Sequence, residues 1–252
     1  MGAEVIMGRE EQLASADERA RSVRAMFQRI VPRYDLLNRL MTLGLDLRWR
    51  ARAAALARPQ GALVLDVGTG TGDLALAFLR QGARAVVGVD FAPAMLLRAR
   101  AKAGERWPLA LAIADALHLP FADDAFDCVA SAFVLRNLAD LPSGLAEMAR
   151  VLRPGGLFLS LELVRPEGGL LQAPLRFYLQ RLVPLLGGAV SGDLAAYRYL
   201  PNSARGFLTR GELSTALERA GLRLEGEWPL GGGTVALHLA RKPSLSRPGS
   251  FG

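Results

Sequence analysis

Leu63-Val64-Leu65-Asp66-Val67-Gly68-Thr69-Gly70-Thr71-Gly72-Asp73 decides the fold of this chain. An apolar run leads straight into a turn with glycine at every second position, and a helix-forming segment follows. Glycine lacks a Cβ, so the backbone can turn tightly and a ligand can approach its N–H groups. A nucleotide-like cofactor is held in this way at the end of a parallel strand. A dinucleotide fingerprint needs Gly-x-Gly-x-x-Gly, and counted from Gly68 its last glycine falls on Asp73. Asp66, just before the turn, would repel a pyrophosphate and suits a cationic cofactor.

Outward from that turn, strand and helix patterns alternate. Residues 62–67 read as a first strand and 73–81 as its helix. Residues 84–90, 109–114, 127–132 and 156–163 are four further strands, with helices expected over 93–103 and 142–152. Pro93 stands at the first helical position of its segment, where a missing N–H costs nothing. A helix over 211–220 and strands over 222–228 and 234–240 complete the pattern, the last two as an antiparallel pair. Such alternation predicts an α/β fold, a mainly parallel seven-stranded sheet between two helical layers. Residues 59–241 form this domain, preceded by a helical extension over 1–58 whose first 18 residues are polar and aperiodic. A proline-punctuated helical insertion interrupts the rhythm at about 168–205, and 242–252 form a loose tail.

Composition removes several function classes. Cys128 is the only cysteine, so no internal disulfide and no Cys-based metal site exist, and its apolar setting predicts a buried structural thiol. No metal site is expected. Arg9, Glu10 and Glu11 interrupt any apolar signal core, and no run reaches the ~18 apolar residues of a membrane span. The net charge of +7 is uneven: between Arg19 and Arg58 ten arginines face only Asp35 and Asp46. A local basic segment fits an anionic surface, lipid or RNA, and equally a solvated helix face. A cytoplasmic protein, peripheral at the inner face of the cell membrane, is expected.

The glycine turn resembles the first motif of the class I S-adenosylmethionine (SAM) methyltransferases, where glycines line the amino-acid end of SAM; a turn of some other α/β fold is the alternative. Ligands of open α/β sheets sit beyond the carboxyl ends of the strands. With Asp66, Gly68, Gly70, Thr71 and Gly72 at the first strand end, three others carry suitable groups. Asp90, 24 positions beyond Asp66, can accept hydrogen bonds from both ribose hydroxyls, although an acid there also serves as a helix cap. Asp115-Ala116 follows the third strand and suits the adenine amino group, and Ala132 at the fourth strand end lies near the methionine part.

The segment from Tyr34-Asp35-Leu36-Leu37-Asn38 to Asp46-Leu47-Arg48-Trp49 resembles the N-terminal signature of the UbiE/MenG family of quinone-biosynthesis C-methyltransferases. Leu135-Arg136-Asn137, Arg150-Val151-Leu152-Arg153-Pro154-Gly155-Gly156, Glu162 and Tyr197-Arg198-Tyr199-Leu200-Pro201-Asn202-Ser203 extend the resemblance in family order. Asp46 replaces a common histidine, Val134 a glycine, and Ala132 and Val164 serines. The resemblance implies a class I methyltransferase fold, SAM as cofactor, and methylation of a ring carbon of a prenylated hydroquinone, demethylmenaquinol or a ubiquinone-pathway benzoquinol.

That chemistry needs phenolate stabilised, the ring aligned and water excluded. Arg136 is the first choice for holding phenolate, because its charge is permanent, with Asn137 orienting the hydroxyl or a water. Pairing of Arg136 with a nearby acid is the alternative. Tyr34, Asn38, Tyr197 and Tyr199 are the candidates for touching the substrate ring. Glu162 either faces the substrate or caps the insertion, while His118 and His238 read as structural. Arginines flanking Phe27, Leu40 and Trp49 would dock on anionic headgroups. The expected partners are the prenylated quinol and, transiently, a membrane surface, without nucleic acid; a homodimer stays open. RNA methylation and a catalytically idle SAM-binding scaffold are the competing functions.

Overall fold

A computed structural model of the protein describes residues 31, 33–167 and 206–244. The expected insertion, with Tyr197 and Tyr199, lies outside the described residues, as do the first 30 residues and the end of the tail. A helix over residues 33–42 (α1) leads through Leu43 and Gly44, both at positive φ, into α2 (Leu45–Ala57). Then follow β1 (Leu63–Val67), α3 (Asp73–Arg80), β2 (Ala85–Asp90), α4 (Pro93–Ala103), β3 (Leu109–Ile113), β4 (Phe126–Ala132) and α5 (Leu141–Val151). β5 (Leu152–Leu163), α6 (Arg210–Arg219), β6 (Arg223–Leu230) and β7 (Val235–Arg241) complete the described elements.

The strands form one seven-stranded sheet in the order β3-β2-β1-β4-β5-β7-β6. β1 to β5 run parallel, and β7 pairs antiparallel with both β5 and β6. This is the predicted mixed sheet. The order in which successive strands are added reverses between β1 and β4, which opens a crevice at their carboxyl ends.

Period-two alternation explains why the central strands read as unbroken apolar runs. Successive side chains point to opposite faces, and both faces are covered. Val64, Cys128, Ala130 and Leu159 face one core with Ala53, Ala54 and Ala57 of α2 and Phe78 of α3. Leu65, Val129 and Phe158 face the other, with Leu145 and Met148 of α5 and Leu213 and Leu217 of α6. Helix starts carry the expected chemistry: Asp140 caps α5 by accepting from the Ser143 amide, and Thr209 with Glu212 forms a capping box on α6.

Three details differ from the sequence reading. β5 begins at Leu152 rather than Gly156, because a bulge between Phe126 and Cys128 absorbs Arg153-Pro154-Gly155 into the strand. Trp49 does not face outward; it packs on the α2–α3 core with its ring 3.2 Å from the position of a Cβ on Gly231. Arg39 and Arg50 are not a solvated basic face either, since both are consumed by internal ion pairs. Cys128 is buried as expected, and burial pushes its thiol up to about 12. Among the described residues no helix is long and apolar enough to cross a membrane.

Candidate active site

The glycine turn opens the site. Gly68, Gly70 and Gly72 all have positive φ (68, 53 and 83°), a region that residues with a Cβ rarely occupy. Gly70 has open space where a Cβ would project, whereas a Cβ on Gly68 would lie 2.3 Å from Cγ2 of Val134. Gly72 is the N-cap of α3, so the amides at the start of that helix point toward the crevice. The turn is pinned by the neighbouring strand end. Asp90 Oδ2 accepts from the Gly70 amide and Oδ1 from the Ala92 amide, each at 2.9 Å. Burial raises the Asp90 carboxyl above its ordinary value, and these amides partly offset it.

Asp66 is 1 % exposed. Its Oδ2 accepts from the Thr69 hydroxyl at 2.7 Å, while Oδ1 has no hydrogen-bond partner among the described residues. Burial pushes this carboxyl up to about 7, against the opposing pull of the Thr69 hydroxyl and Arg50. A buried acceptor of this kind is costly unless something completes it. A cleft is lined here by Tyr34, Arg50, Asp66, Gly68, Thr69, Gly70, Thr71, Asp73, Leu74 and Ala132. An open cradle at Gly70 and an unsatisfied carboxylate oxygen are what the cationic amino-acid end of SAM requires, so the residues fit that cofactor.

α1 and α2 are latched across this turn by alternating charges. Lys102 of α4 donates to Asp73 Oδ1 at 2.6 Å, to Asp35 Oδ2 at 3.0 Å and to the Thr71 hydroxyl at 3.0 Å. Thr71 in turn donates to Asp35 Oδ1 at 2.6 Å. Arg39 reaches Asp73 Oδ2 at 2.6 Å and also pairs with Asp46, which Arg50 holds from the next helical turn at 2.9 Å. Burial alone would raise the Asp73 carboxyl, but Lys102 and Arg39 hold it below its ordinary value. The latch brings Tyr34 into the cleft lining. Burial raises its hydroxyl, and Arg50, the Asn38 side chain and Arg136 pull the other way.

Beyond β4 the backbone is strained. Phe133 has φ 64°, and its ring lies 5.0 Å from the Arg50 guanidinium and 6.0 Å from that of Arg136. A single 3-10 turn, Leu135–Asn137, follows. Arg136 is buried, and its Nη1 donates to Glu162 Oε1 at 2.5 Å, with the Arg136 amide 3.4 Å from Oε2. Glu162 is fully buried and also accepts from the Leu163 amide at 2.8 Å. Arg136 is thus paired with an acid. The reading of an isolated cation waiting for phenolate gives way to a neutral pair that fixes the guanidinium plane. Asn137 donates from Nδ2 to the Phe133 carbonyl at 3.3 Å.

The structure therefore brings together Tyr34, Asp66, Gly68, Gly70, Thr71 and Ala132 in one cleft, with Asp90 behind the turn and Gly72 at the helix start. Asn38 lies one helical turn beyond Tyr34 on α1. Asp115 and Ala116 are outside the cleft lining: Asp115 is exposed and accepts from the Leu117 amide at 2.9 Å, and Ala116 packs on the second core. His238 is structural, as read. It is buried, bonded to the Arg210 carbonyl, and lowered by burial. Sequence reasoning missed Arg50 and Lys102. The only signal for Lys102 was its rarity, as one of two lysines in an arginine-rich chain.

Residues 13–242 match the ubiE/COQ5 methyltransferase family. The demethylmenaquinone methyltransferase of Thermus thermophilus is 47 % identical over 221 residues, which cover 86 % of this chain and 100 % of that protein. The ubiquinone/menaquinone biosynthesis C-methyltransferase UbiE of Geobacter sulfurreducens is 42 % identical over 212 residues, 82 % of each chain. Among solved structures, a SAM-dependent methyltransferase from Thermotoga maritima superposes with a TM-score of 0.62 at 20 % identity, covering 86 % of this chain and 98 % of that one. One from Mesorhizobium loti gives 0.56 at 22 %, covering 79 % and 97 %. The structural likeness establishes the class I methyltransferase fold. Fold, cleft and family agree on SAM as cofactor and on methyl transfer as the activity. This chain belongs to the ubiE/COQ5 methyltransferase family.

Proposed function

We propose that the protein methylates a ring carbon of a prenylated hydroquinone, converting demethylmenaquinol to menaquinol. The observation that carries this reading is the 47 % identity to a demethylmenaquinone methyltransferase along that protein's whole length. A benzoquinol of the ubiquinone pathway is the second reading, favoured by relatives named for both quinones.

SAM, when bound, supplies an electrophilic methyl group on a sulfonium. The open turn at Gly70 leaves room for its amino-acid end, with Asp66 facing the cationic amine. Asp90 keeps spare lone pairs for the ribose hydroxyls, because each oxygen accepts one amide and has capacity for a second bond. Thr71 and Ala132 line the same cleft, and Asp115-Ala116, outside that lining, is left as the candidate for the adenine amino group.

The acceptor carbon lies ortho to a phenol hydroxyl and attacks best once that hydroxyl has lost its proton. Arg136, held by Glu162, directs its guanidinium at the phenolate oxygen, and Asn137 orients it. Because the pair is neutral overall, it stabilises phenolate as an oriented dipole and less strongly than a lone cation. Tyr34, Asn38, Tyr197 and Tyr199 contact the ring. The ring proton leaves to solvent as the ring regains aromaticity, and no metal or covalent enzyme intermediate is required. The prenyl tail keeps the substrate in a bilayer, so this enzyme works from the cytoplasmic membrane surface.

Mass spectrometry of the quinone pool in cells lacking the protein tests the assignment. A menaquinone or ubiquinone short of one ring methyl, restored on re-expression, supports the corresponding substrate. An unchanged pool sinks both readings.

A further inference from the structure

The faces of α1 and α2 that point away from the glycine turn carry a consistent chemistry. On a helix, positions i, i+3, i+7 and i+10 share one stripe. In α1 that stripe is Arg33, Leu36 and Leu40, Leu43 follows in the turn after the helix, and all four are exposed. Leu36 is 54 % and Leu43 79 % exposed, very high for leucines. α2 buries Asp46, Arg50, Ala53, Ala54 and Ala57, which leaves Leu47, Arg48 and Arg52 exposed on its other side.

The charges have been sorted as well. Asp35 and Asp46 are the only acids in residues 31–58, and both are turned inward by Lys102, Arg39 and Arg50. Within the described part of residues 31–58, what remains outside is leucine bordered by arginine, with no carboxylate between. Arg48 and Arg52 have no ion-pair partner among the described residues. An apolar stripe with a purely cationic border matches a sheet of anionic headgroups over acyl chains. It suits a second copy of the chain poorly, since a two-fold contact would set arginine against arginine.

We infer that the outer face of α1 and α2, centred on Leu36, Leu40, Leu43 and Leu47 with Arg48 and Arg52, is the surface on which this protein docks to anionic lipid bilayers. The inference rests on the prenylated-quinol reading for its purpose but not for its geometry. Docking there sets the inner face of α1, with Tyr34 and the latch to Thr71, on the side of α1 away from the lipid. The same helix therefore touches the bilayer with one face and the cofactor cleft with the other.

Vesicle flotation of the full-length protein tests this, with phosphatidylglycerol-containing vesicles against pure phosphatidylcholine and without quinol. The wild type should bind the anionic vesicles at least about tenfold more tightly, and raised salt should weaken binding. Leu40→Glu/Leu43→Glu and Arg48→Glu/Arg52→Glu should each reduce binding by about tenfold or more, while methylation of a soluble short-tailed quinol stays at wild-type rate. Equal binding of both variants and the wild type overturns the inference. So does a variant that changes the oligomeric state in sedimentation velocity while flotation is unaffected, which would mark a self-interface. Binding to vesicles with no methylation of any quinol would instead leave the docking face intact and remove the quinol reading.

Discussion

Gly68 is held by two constraints that a single exchange separates. Its φ of 68° excludes most side chains, and Val134 fills the space a Cβ would take. Gly68→Ala should cost about 1–2 kcal/mol for the left-handed backbone and about 1–3 kcal/mol for overpacking. Val134→Gly in the same chain should recover the second part and leave the first, a non-additivity that denaturant melts of the four proteins would measure. Asp66 makes a different statement. Its carboxyl is raised to about 7, so between its ordinary value and 7 the folded chain binds more protons than the unfolded one. Stability contributed by this group is full at low pH and falls as pH rises through that window. SAM binding should run the other way, tightening as pH rises from about 6 to about 8, because a cation favours the ionised form. Asp66→Asn should flatten the dependence in calorimetric titrations; an unchanged slope would assign it to a group other than Asp66. These residue-level features were legible in the sequence because a tight turn and the acid before it are local. Val134 was visible only as a departure from the family pattern, and its contact with Gly68 crosses 66 positions that no periodicity connects.

Elements meet in this protein through charges that lie far apart in the chain. Lys102 joins α4 to Asp35 across 67 positions and to Asp73 across 29. Lys102→Met should cost about 1–2 kcal/mol, below the range for a fully buried pair because the lysine is 22 % exposed. The loss should be local. Hydrogen exchange should speed in residues 33–42 before the sheet is affected, and the KM for SAM should rise as Thr71 loses one of its two partners and keeps only Asp35. Uniform loss of protection across the chain would count against the latch. None of this network was readable beforehand, since a helix pattern says which face is apolar and not which acid waits opposite. The same limit explains Arg50 and Trp49, read as part of a basic docking segment and found inside it. Arg136 shows the converse: its importance was legible from the motif, but its partner Glu162, 26 positions on and fully buried, required the neighbouring strand.

At the scale of the whole molecule, the mainly parallel sheet and its antiparallel end were legible in the sequence, because alternation of period-two and period-3.6 segments leaves few sheets that can be built without crossing connections; the strand order came from the structure. The order also decides how the parts depend on one another. β4 lies at the centre between β1 and β5, and Cys128 sits in it, 3 % exposed, with its thiol pushed up to about 12. A thiolate is the reactive form, so in the folded chain this sulfur is both unreachable and almost wholly unreactive. It is also the only sulfhydryl in 252 residues. The protein therefore carries its own unfolding clock. An alkylating reagent can mark the chain only when the central strand is exposed, so the rate of single mass addition reports opening of the sheet core without any engineered label. Saturating SAM should slow that rate by the factor that binding adds to folded-state stability, which turns an inert buried atom into a readout of cofactor affinity.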